Sequence, residues 1–341
     1  MSTVHIVGGG IAGLALAATL QRPDWDVIVH EQGRGPDERE VGTAFGLWPA
    51  AMSALDRIGL GETVRKRGVH AAKASIRDTR DRVLTSLPEL DIVMIGRTGL
   101  HRVLREAIPA EVQWRDARVS DSRSLQGEII VGADGVHSVV RRDHWGHRSK
   151  ARSRRATVIR GVIDGDLSRG EVTEYWGEGR LFGITPVSED KTNWFTAFAE
   201  QRFDSTNEGL RHLRHITEDF PAAVRNIIAA AEPRQTLVNG VHVSRSLLSM
   251  TRGHVVLIGD AAHAMTPNLG RGACESILDA VRLGTLLNRY QPAEALRHYR
   301  RQRLVGPQLV KVASGILMST ALSAGRRART RNRLVKAIGR R

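Results

Sequence analysis

Short apolar runs and helix-spaced stretches alternate from the start of the chain. Val4-His5-Ile6-Val7 is an apolar run rich in β-branched residues, Gly8 to Gly13 is a glycine-rich turn, and Leu14 to Leu20 are helix formers. Asp26 to His30 supplies a second strand that ends at Glu31. Strand, turn, helix and strand within about 30 residues predict a βαβ unit and therefore a parallel sheet. Pro49 stands where a helix can begin, Ala50 to Ile58 keep helical spacing, and Gly59 stops them. A further helix is predicted from Thr98 to Ala107, then a buried-type strand from Glu128 to Gly132 and a helix from Val136 to Arg142.

From about Ala156 to Ala199 the period changes. Val172 to Trp176, Leu181 to Ile184 and Trp194 to Phe198 read as antiparallel strands between glycine-rich turns. Helices follow from Thr206 to Ala230, the strand Val255 to Ile258 returns to the first pattern, and helices are predicted from Gly272 to Leu287, from Pro292 to Arg303 and beyond. The expected fold is α/β: a Rossmann-type nucleotide-binding domain, an inserted antiparallel-sheet substrate domain, and C-terminal helices. The expected bounds are 1–150 for the first part of the nucleotide domain, 151–250 for the inserted domain, 251–303 for the return, and 304–341 for basic C-terminal helices. Arg148 to Arg155 reads as a basic linker.

Composition narrows the class. In 341 residues, 41% hydrophobic and 26% charged, whole-chain disorder is excluded. Cys274 is the sole cysteine, which rules out an internal disulfide or a cysteine metal cage and fits a reducing cytoplasm. The N-terminus has no signal-peptide pattern, and with no run of about 18 apolar residues a membrane span is not expected. The net charge of +15 is concentrated at one end: Ala295 to Arg341 holds 13 Lys and Arg and no acidic residue. That tail reads as a solvated basic face or as a contact for an anionic partner, membrane surface or nucleic acid; of the two, nucleic acid is not expected as a partner of the protein.

The candidate chemistry begins with Gly8, Gly10 and Gly13, followed by Glu31 at the end of the second strand. Glycine there allows the tight turn, close approach of backbone to a pyrophosphate, and helix packing on the strand. The helix start at Ile11 and Ala12 offers free N–H groups to phosphate, and Glu31 can accept hydrogen bonds from a ribose diol. This pattern indicates a dinucleotide without separating FAD from NAD(P).

Two later segments make that separation. Gly132-Ala133-Asp134-Gly135-Val136-His137-Ser138-Val139-Val140-Arg141 and Gly259-Asp260-Ala261-Ala262-His263-Ala264-Met265-Thr266-Pro267-Asn268-Leu269-Gly270-Arg271-Gly272, taken with the first glycines and Arg97, resemble the signatures of class A flavoprotein monooxygenases, the aromatic hydroxylases with the para-hydroxybenzoate hydroxylase fold. The resemblance spans residue 4 to about 300 and implies FAD as cofactor and NAD(P)H as co-substrate. It implies that oxygen adds at the flavin C4a and that the hydroperoxide hydroxylates or epoxidises a small aromatic or unsaturated molecule. On this resemblance Asp260 meets an FAD ribityl or ribose oxygen. The turn Pro267 to Cys274, with Gly270, places the N–H groups of Gly272, Ala273 and Cys274 near flavin N1 and O2. Arg97 matches an arginine on the adenine or pyrophosphate side, and Asp134 an acid tied to FAD and NAD(P)H that can act by ordering its loop. Val41 to Pro49 resembles the segment beside the isoalloxazine, where Gly42 permits close approach and Arg39 can meet the pyrophosphate or remain solvated. Asp260 can equally be a helix N-cap, His263 a packing residue, and Cys274 backbone support.

The substrate pocket is expected between flavin and antiparallel sheet, with Phe45, Trp48, Tyr175, Phe182, Pro186 and Phe195 as candidate lining; each can equally be core. Tyr175 or a nearby histidine is a candidate base for a phenol. No catalytic side chain is required, because the flavin carries the chemistry. One departure from the family is the short Arg115 to Gln126 interval, which predicts a reduced or absent β-meander. The rival readings are a flavin-dependent reductase or dehydrogenase on the same fold and a non-catalytic flavin-binding protein. Monomer and homodimer are both compatible.

Overall fold

The structure is a computed structural model, and it describes residues 2–33 and 43–338. The opening strand β1 (Ser2–Val7), helix α1 (Ile11–Thr19) and strand β2 (Trp25–Glu31) form a βαβ unit, with Val4 opposite Val27 in a parallel pair. Eight residues of α1 are buried, Leu14 to Ala17 completely, so this helix is apolar all round because it has no solvent face. After β3 (Ala44–Leu47), α2 (Pro49–Arg57) starts on a proline whose missing N–H would have had no helical partner, and α3 (Gly61–Arg67) follows. Next come β4 (Val69–Ala71), β5 (Ala74–Asp78), β6 (Val83–Leu87), β7 (Ile92–Gly96), α4 (Arg97–Glu106), β8 (Gln113–Asp116), β9 (Ile129–Gly132) and α5 (Val139–Trp145).

The middle of the chain holds β10 (Arg152–Asp164), β11 (Val172–Trp176), β12 (Arg180–Ser188) and β13 (Lys191–Ala199), then α6 (Thr206–Ile216) and α7 (Ala222–Ala230). The last part holds β14 (Thr236–Val243), β15 (Thr251–Arg252), β16 (Val255–Leu257), α8 (Asp260–His263), α9 (Gly272–Arg289), α10 (Pro292–Arg303), α11 (Gly306–Ala321) and α12 (Gly325–Ile338).

Among the described residues the strands form three sheets. The six-stranded sheet runs β15-β16-β9-β1-β2-β8, parallel except at the β15–β16 edge. The seven-stranded sheet runs β14-β10-β13-β12-β11-β5-β6, and a small sheet runs β3-β7-β4. One core lies between the parallel sheet and helices α1, α9 and α10; a second lies between one face of the seven-stranded sheet and helices α6 and α7. The other face of that sheet meets α11 through Trp176, Leu181, Met318 and Ala321.

Three local readings change. First, β5 and β6 belong to the seven-stranded sheet although they come from the first 150 residues, because β5 pairs in parallel with β11. β6 pairs only with β5 in a hairpin, and the partner that brings β5 into this sheet is nearly 100 residues away. Second, the basic stretch taken as a linker enters β10 at Arg152, where it pairs with Val243. Third, α5 starts at Val139 rather than Val136, because the Ser138 hydroxyl caps it by accepting from the Arg141 N–H at 2.9 Å. Between β8 and β9 there is one 3-10 turn, Ser122–Ser124, and no strand. The expectation of no long apolar stretch meets one exception: Pro292–Ala321 contains an 18-residue window of mean hydropathy 1.2, of which 28% is buried.

Within the parallel sheet His5 Nδ1 and His30 Nε2 lie 2.9 Å apart, both side chains buried, and the other nitrogen of His5 meets the Gln126 carbonyl at 3.0 Å. Burial, with the charges of His5 and Arg115, lowers the His30 pKa from 6.5 to about 4. The unfolded chain therefore takes up more protons than the folded one between those values, and stability falls as the pH drops through that window. The thermal midpoint is expected to fall from about pH 7 to about pH 5, and to fall less in His30→Leu; an equal fall in both proteins would refute the assignment.

Candidate functional site

At the C-terminal edge of the parallel sheet, β1 and β9 end side by side. Gly8 has φ 107°, and a Cβ there would lie 2.4 Å from the Ala133 carbonyl oxygen, while a Cβ on Gly13 would lie 1.9 Å from the Gly8 oxygen. These two glycines act from behind, letting helix and strands touch through backbone. Gly10 differs: a Cβ there would meet nothing within 4 Å, and the residue lines an open cavity with Ile11 and Ala12. The first bond within α1 runs from the Leu14 N–H to the Gly10 carbonyl, and no side chain caps the helix. Its first N–H groups are thus free for an anion. Glu31 reaches back to the turn, where its Oε2 accepts from the Gly9 N–H at 2.6 Å.

The cavity holds about 630 Å³ and runs from Gly10 past Asp260, Pro267, Gly270, Gly272 and Ala273 to the inner face of the seven-stranded sheet. Asp260 is the first residue of α8, yet its carboxylate makes no capping bond and accepts no hydrogen bond among the described residues. It is open to the cavity, and desolvation by the protein around it raises its pKa against the opposing charges of His263 and Arg97. The N-cap alternative for Asp260 is therefore set aside. Arg97 begins α4 on the cavity wall, its N–H donating to the Thr43 carbonyl at 2.9 Å. On the far side, the 18-residue helix α9 begins after Gly270, at φ 59°, without a side-chain cap. Gly272, Ala273 and Cys274 precede the first helical bond, from the Glu275 N–H to the Arg271 carbonyl, so this end concentrates partial positive charge on the cavity.

Cys274 supports rather than lines this wall. Its thiol donates to the Gly46 carbonyl at 3.3 Å and accepts from the Trp48 N–H at 3.5 Å, joining α9 to β3, and burial pushes its pKa up to about 11. Asp134 is also held off the cavity: its Oδ2 accepts from the N–H groups of Val139, at 2.7 Å, and Val140, at 3.2 Å, ordering the start of α5. His263 packs inward, its Nε2 bonded to Asp279 Oδ2.

Two supporting groups carried no individual role in the sequence reading. Asp279, fully buried on α9, accepts from the Gly259 N–H at 2.9 Å, from His263, and from Arg303 Nε at 2.7 Å. Burial would raise its pKa, but His263 and Arg303 hold it down at about 2. Arg141, 1% exposed, donates to the carbonyls of Ala261 at 2.9 Å and Ala262 at 2.7 Å, and also to those of Ser149 and Arg245. Asp279 thus holds the start of α8 and its His263 side chain, and Arg141 holds its carbonyls. The only sequence signal for Arg141 was its place at the end of the second motif, and Asp279 had none beyond an acid on an apolar helix face.

Phe45, Trp48 and Phe195 line the cavity. Tyr175, Phe182 and Pro186 do not. Tyr175 and Phe182 are directly opposite on β11 and β12 and face α6 and α7, where Phe182 stacks on Trp194 with ring centroids 5.8 Å apart. Successive strand residues alternate faces, so Glu174, Trp176 and Leu181 point into the cavity instead. Tyr175 is therefore not placed to act as a base. Pro186 is likewise passed over in favour of Thr185. Arg39 and Gly42 lie outside the described residues.

This arrangement fits an elongated dinucleotide: an uncapped helix start beside a glycine with free space for phosphate, an unpaired carboxylate midway for hydroxyl groups, and a second uncapped helix start at the far end. The chain matches the FAD binding domain family over residues 1–115 and 106–311. It is 31% identical over 315 residues to the aurachin C monooxygenase/isomerase of Stigmatella aurantiaca, covering 84% of this chain and 80% of that protein. It is 30% identical over 340 residues to the 2-heptyl-3-hydroxy-4(1H)-quinolone synthase of Pseudomonas aeruginosa, covering 92% of this chain and 88% of that protein. Its fold superposes on Klebsiella pneumoniae HpxO, solved with FAD and uric acid, with a TM-score of 0.87 at 22% identity, over 98% of this chain and 93% of that one.

Gly10 separates binding from folding. Gly10→Val is expected to keep the thermal midpoint of the flavin-free protein while weakening FAD binding at least about tenfold, a difference of about 1.4 kcal/mol. Gly13→Val is expected to prevent folding. Flavin fluorescence titration and thermal melts check both, and unaltered FAD affinity in Gly10→Val would refute the placement.

Proposed function

The chain belongs to the class A FAD-dependent monooxygenases, and on that premise we propose that it inserts one oxygen atom into a flat, largely apolar ring system whose carbonyl or oxyanion is received by Arg160. The observation that carries this reading is the state of Arg160. It stands on β10 at the cavity wall, and its guanidinium makes no hydrogen bond or ion pair among the described residues. Burial and the nearby charge of Arg97 both disfavour its cationic form. Arg160 is partly buried, with its Nε enclosed and its side chain on the cavity wall, so an anionic or carbonyl oxygen on the substrate would supply a charge-assisted partner.

Bound FAD supplies the redox chemistry, receiving electrons from NAD(P)H and activating O2, so the protein needs no metal or nucleophile of its own. The free N–H groups of α1, from Ile11 to Gly13, hold the pyrophosphate, with Gly8 and Gly13 fixing the turn and Glu31 the ribose side. Arg97 serves the adenine or pyrophosphate side, and Asp260 accepts from a ribityl hydroxyl. The N–H groups of Gly272, Ala273 and Cys274, steadied by Pro267 and Gly270, stabilise negative charge on the flavin edge. Asp134 acts through its loop. Phe45, Trp48, Trp176, Leu181 and Phe195 exclude water from the reacting centre.

Opposite Arg160 in character is Glu174, whose carboxyl lines the cavity and accepts from the Trp176 indole N–H at 2.8 Å. Burial raises its pKa, against the lowering effect of the Trp176 hydrogen bond, and its carboxyl is the second polar group a ring oxygen or nitrogen can meet. One relative is named for a 2-heptyl-3-hydroxy-4(1H)-quinolone, a ring that carries an oxygen and an apolar tail. An alkyl-substituted heteroaromatic of that class suits a cavity with two polar groups and otherwise apolar walls. The remaining partners are small molecules, NAD(P)H and O2, and the setting proposed is the cytoplasm.

The test is NAD(P)H oxidation by FAD-loaded protein with a panel of quinolones, phenols and indoles under isotope-labelled oxygen. Label in the product supports oxygen insertion; oxygen consumed without incorporation points to a reductase. Arg160→Met is expected to raise KM for oxygen-bearing rings at least about tenfold with an unchanged flavin spectrum, in keeping with the loss of a charged hydrogen bond. An unchanged KM would remove Arg160 from substrate recognition.

A further inference from the structure

Helix α11 carries its charge on the wrong side for a helix facing water. Its buried face holds Pro307, Lys311, Ser314, Met318 and Ala321. The Lys311 ammonium turns inward, donating to the Ser244 carbonyl at 3.3 Å and to Ser246 Oγ at 3.0 Å. Ser314 Oγ donates to the Thr266 carbonyl at 2.6 Å. The opposite face presents Val305, Leu309, Val312 and Ile316, each more than half exposed. Their spacing of four, three and four residues puts them on one stripe. Beside it, Leu248 is 94% exposed, next to Leu247, whose carbonyl accepts from Gln308 of α11 at 2.9 Å.

The neighbouring helix α12 exposes Arg326, Arg327, Arg329, Arg333 and Lys336, with Leu334 59% exposed among them. No acidic residue stands anywhere from Ala295 to the end of the chain. This face is continuous with the cavity. Leu317, the residue after Ile316, lines the cavity, and so does Leu87 of β6, which is 54% exposed. Arg331 anchors α12 to the Gly177 carbonyl at 3.1 Å, just past Trp176 on the cavity wall.

We propose that α11 and α12 form a docking face for an anionic lipid surface, with the Val305 to Ile316 stripe in the acyl boundary, the α12 arginines on the headgroups, and the cavity mouth at Leu87 and Leu317 turned toward the lipid. A large apolar stripe flanked by unopposed cations is the pattern of a helix that lies in a membrane interface. The inward bonds of Lys311 and Ser314 keep the other face on the protein, so α11 lies on the bilayer and does not span it. A second copy of the chain is the poorer occupant, because pairing two such faces would bring two α12 helices together without a single carboxylate to offset them. The docking face stands on its own observations, while its use as an entry route for an apolar substrate rests on the function proposed above.

Flotation of the full-length FAD-loaded protein with vesicles tests the docking face without any substrate. Vesicles of phosphatidylcholine with about a third phosphatidylglycerol are expected to carry the protein at low salt, and phosphatidylcholine alone to carry little of it. Added salt should release it, as expected for screened surface charge. The pair Leu309→Asp and Val312→Asp, both on the solvent side of α11, should abolish flotation with an unchanged flavin spectrum and thermal midpoint. Arg327→Gln with Arg333→Gln should weaken binding only to the anionic vesicles. Absence of flotation by the wild type overturns the proposal, and so does a concentration-dependent dimer in sedimentation that the α11 variants dissolve. Loss of flotation with oxygen insertion into soluble rings intact leaves the proposed function standing, so the two readings fail separately.

Discussion

A single buried carboxylate holds the centre of this protein together. Asp279 receives the Gly259 N–H, His263 and Arg303 at once, in a setting where its side chain and that of His263 are at most 1% exposed. A charge so placed is tolerable only when paired and hydrogen-bonded, and removing one partner leaves the others uncompensated. The same cluster joins α9 to α10, because Arg303 also pairs with Glu275, which in turn pairs with Arg271. Through Gly259 it fixes the turn that aims Asp260 into the cavity. The flavin-side geometry is thus inherited from a network that never touches the flavin.

Around that network the protein leaves polar groups open where a ligand belongs. Both α1 and α9 begin without a side-chain cap, and Asp260 and Arg160 stand on the cavity wall without hydrogen-bond partners among the described residues. Two supporting groups are satisfied instead: Ser138 caps α5, and Arg141 spends its guanidinium on four carbonyls. Ser138 and Arg141 thus serve the scaffold, while the open groups at the cavity are available to cofactor and substrate. The same logic extends to α11, which joins the cavity wall at Leu317 to the exposed stripe at Ile316.

Elements governed by local rules were legible. The opening βαβ unit, the proline-started helices α2 and α10, and the strand before Asp260 follow from periodicity and turn chemistry within a few residues. Strand β5 was not, since its place in the sheet is set by β11, far along the chain, and β6 is a strand only as its hairpin partner. The aromatic lining shows the same division. Alternation along β11 and β12 separates Tyr175 from Trp176 and Phe182 from Leu181, but it does not say which set faces the ligand. That choice was made when α6 and α7 covered the Tyr175 side.

What the sequence determined alone was the cofactor end of the site, because the close approach of Gly13 to Gly8 and the free N–H groups at a helix start are properties of a dozen consecutive residues. What only the tertiary structure decided was the face of the antiparallel sheet that meets the substrate, the pairing of Asp279 with Arg303, the isolation of Arg160 and the outward stripe on α11. Each of these depends on which surface packs against which, and burial and charge compensation acquire a sign only after the elements have met.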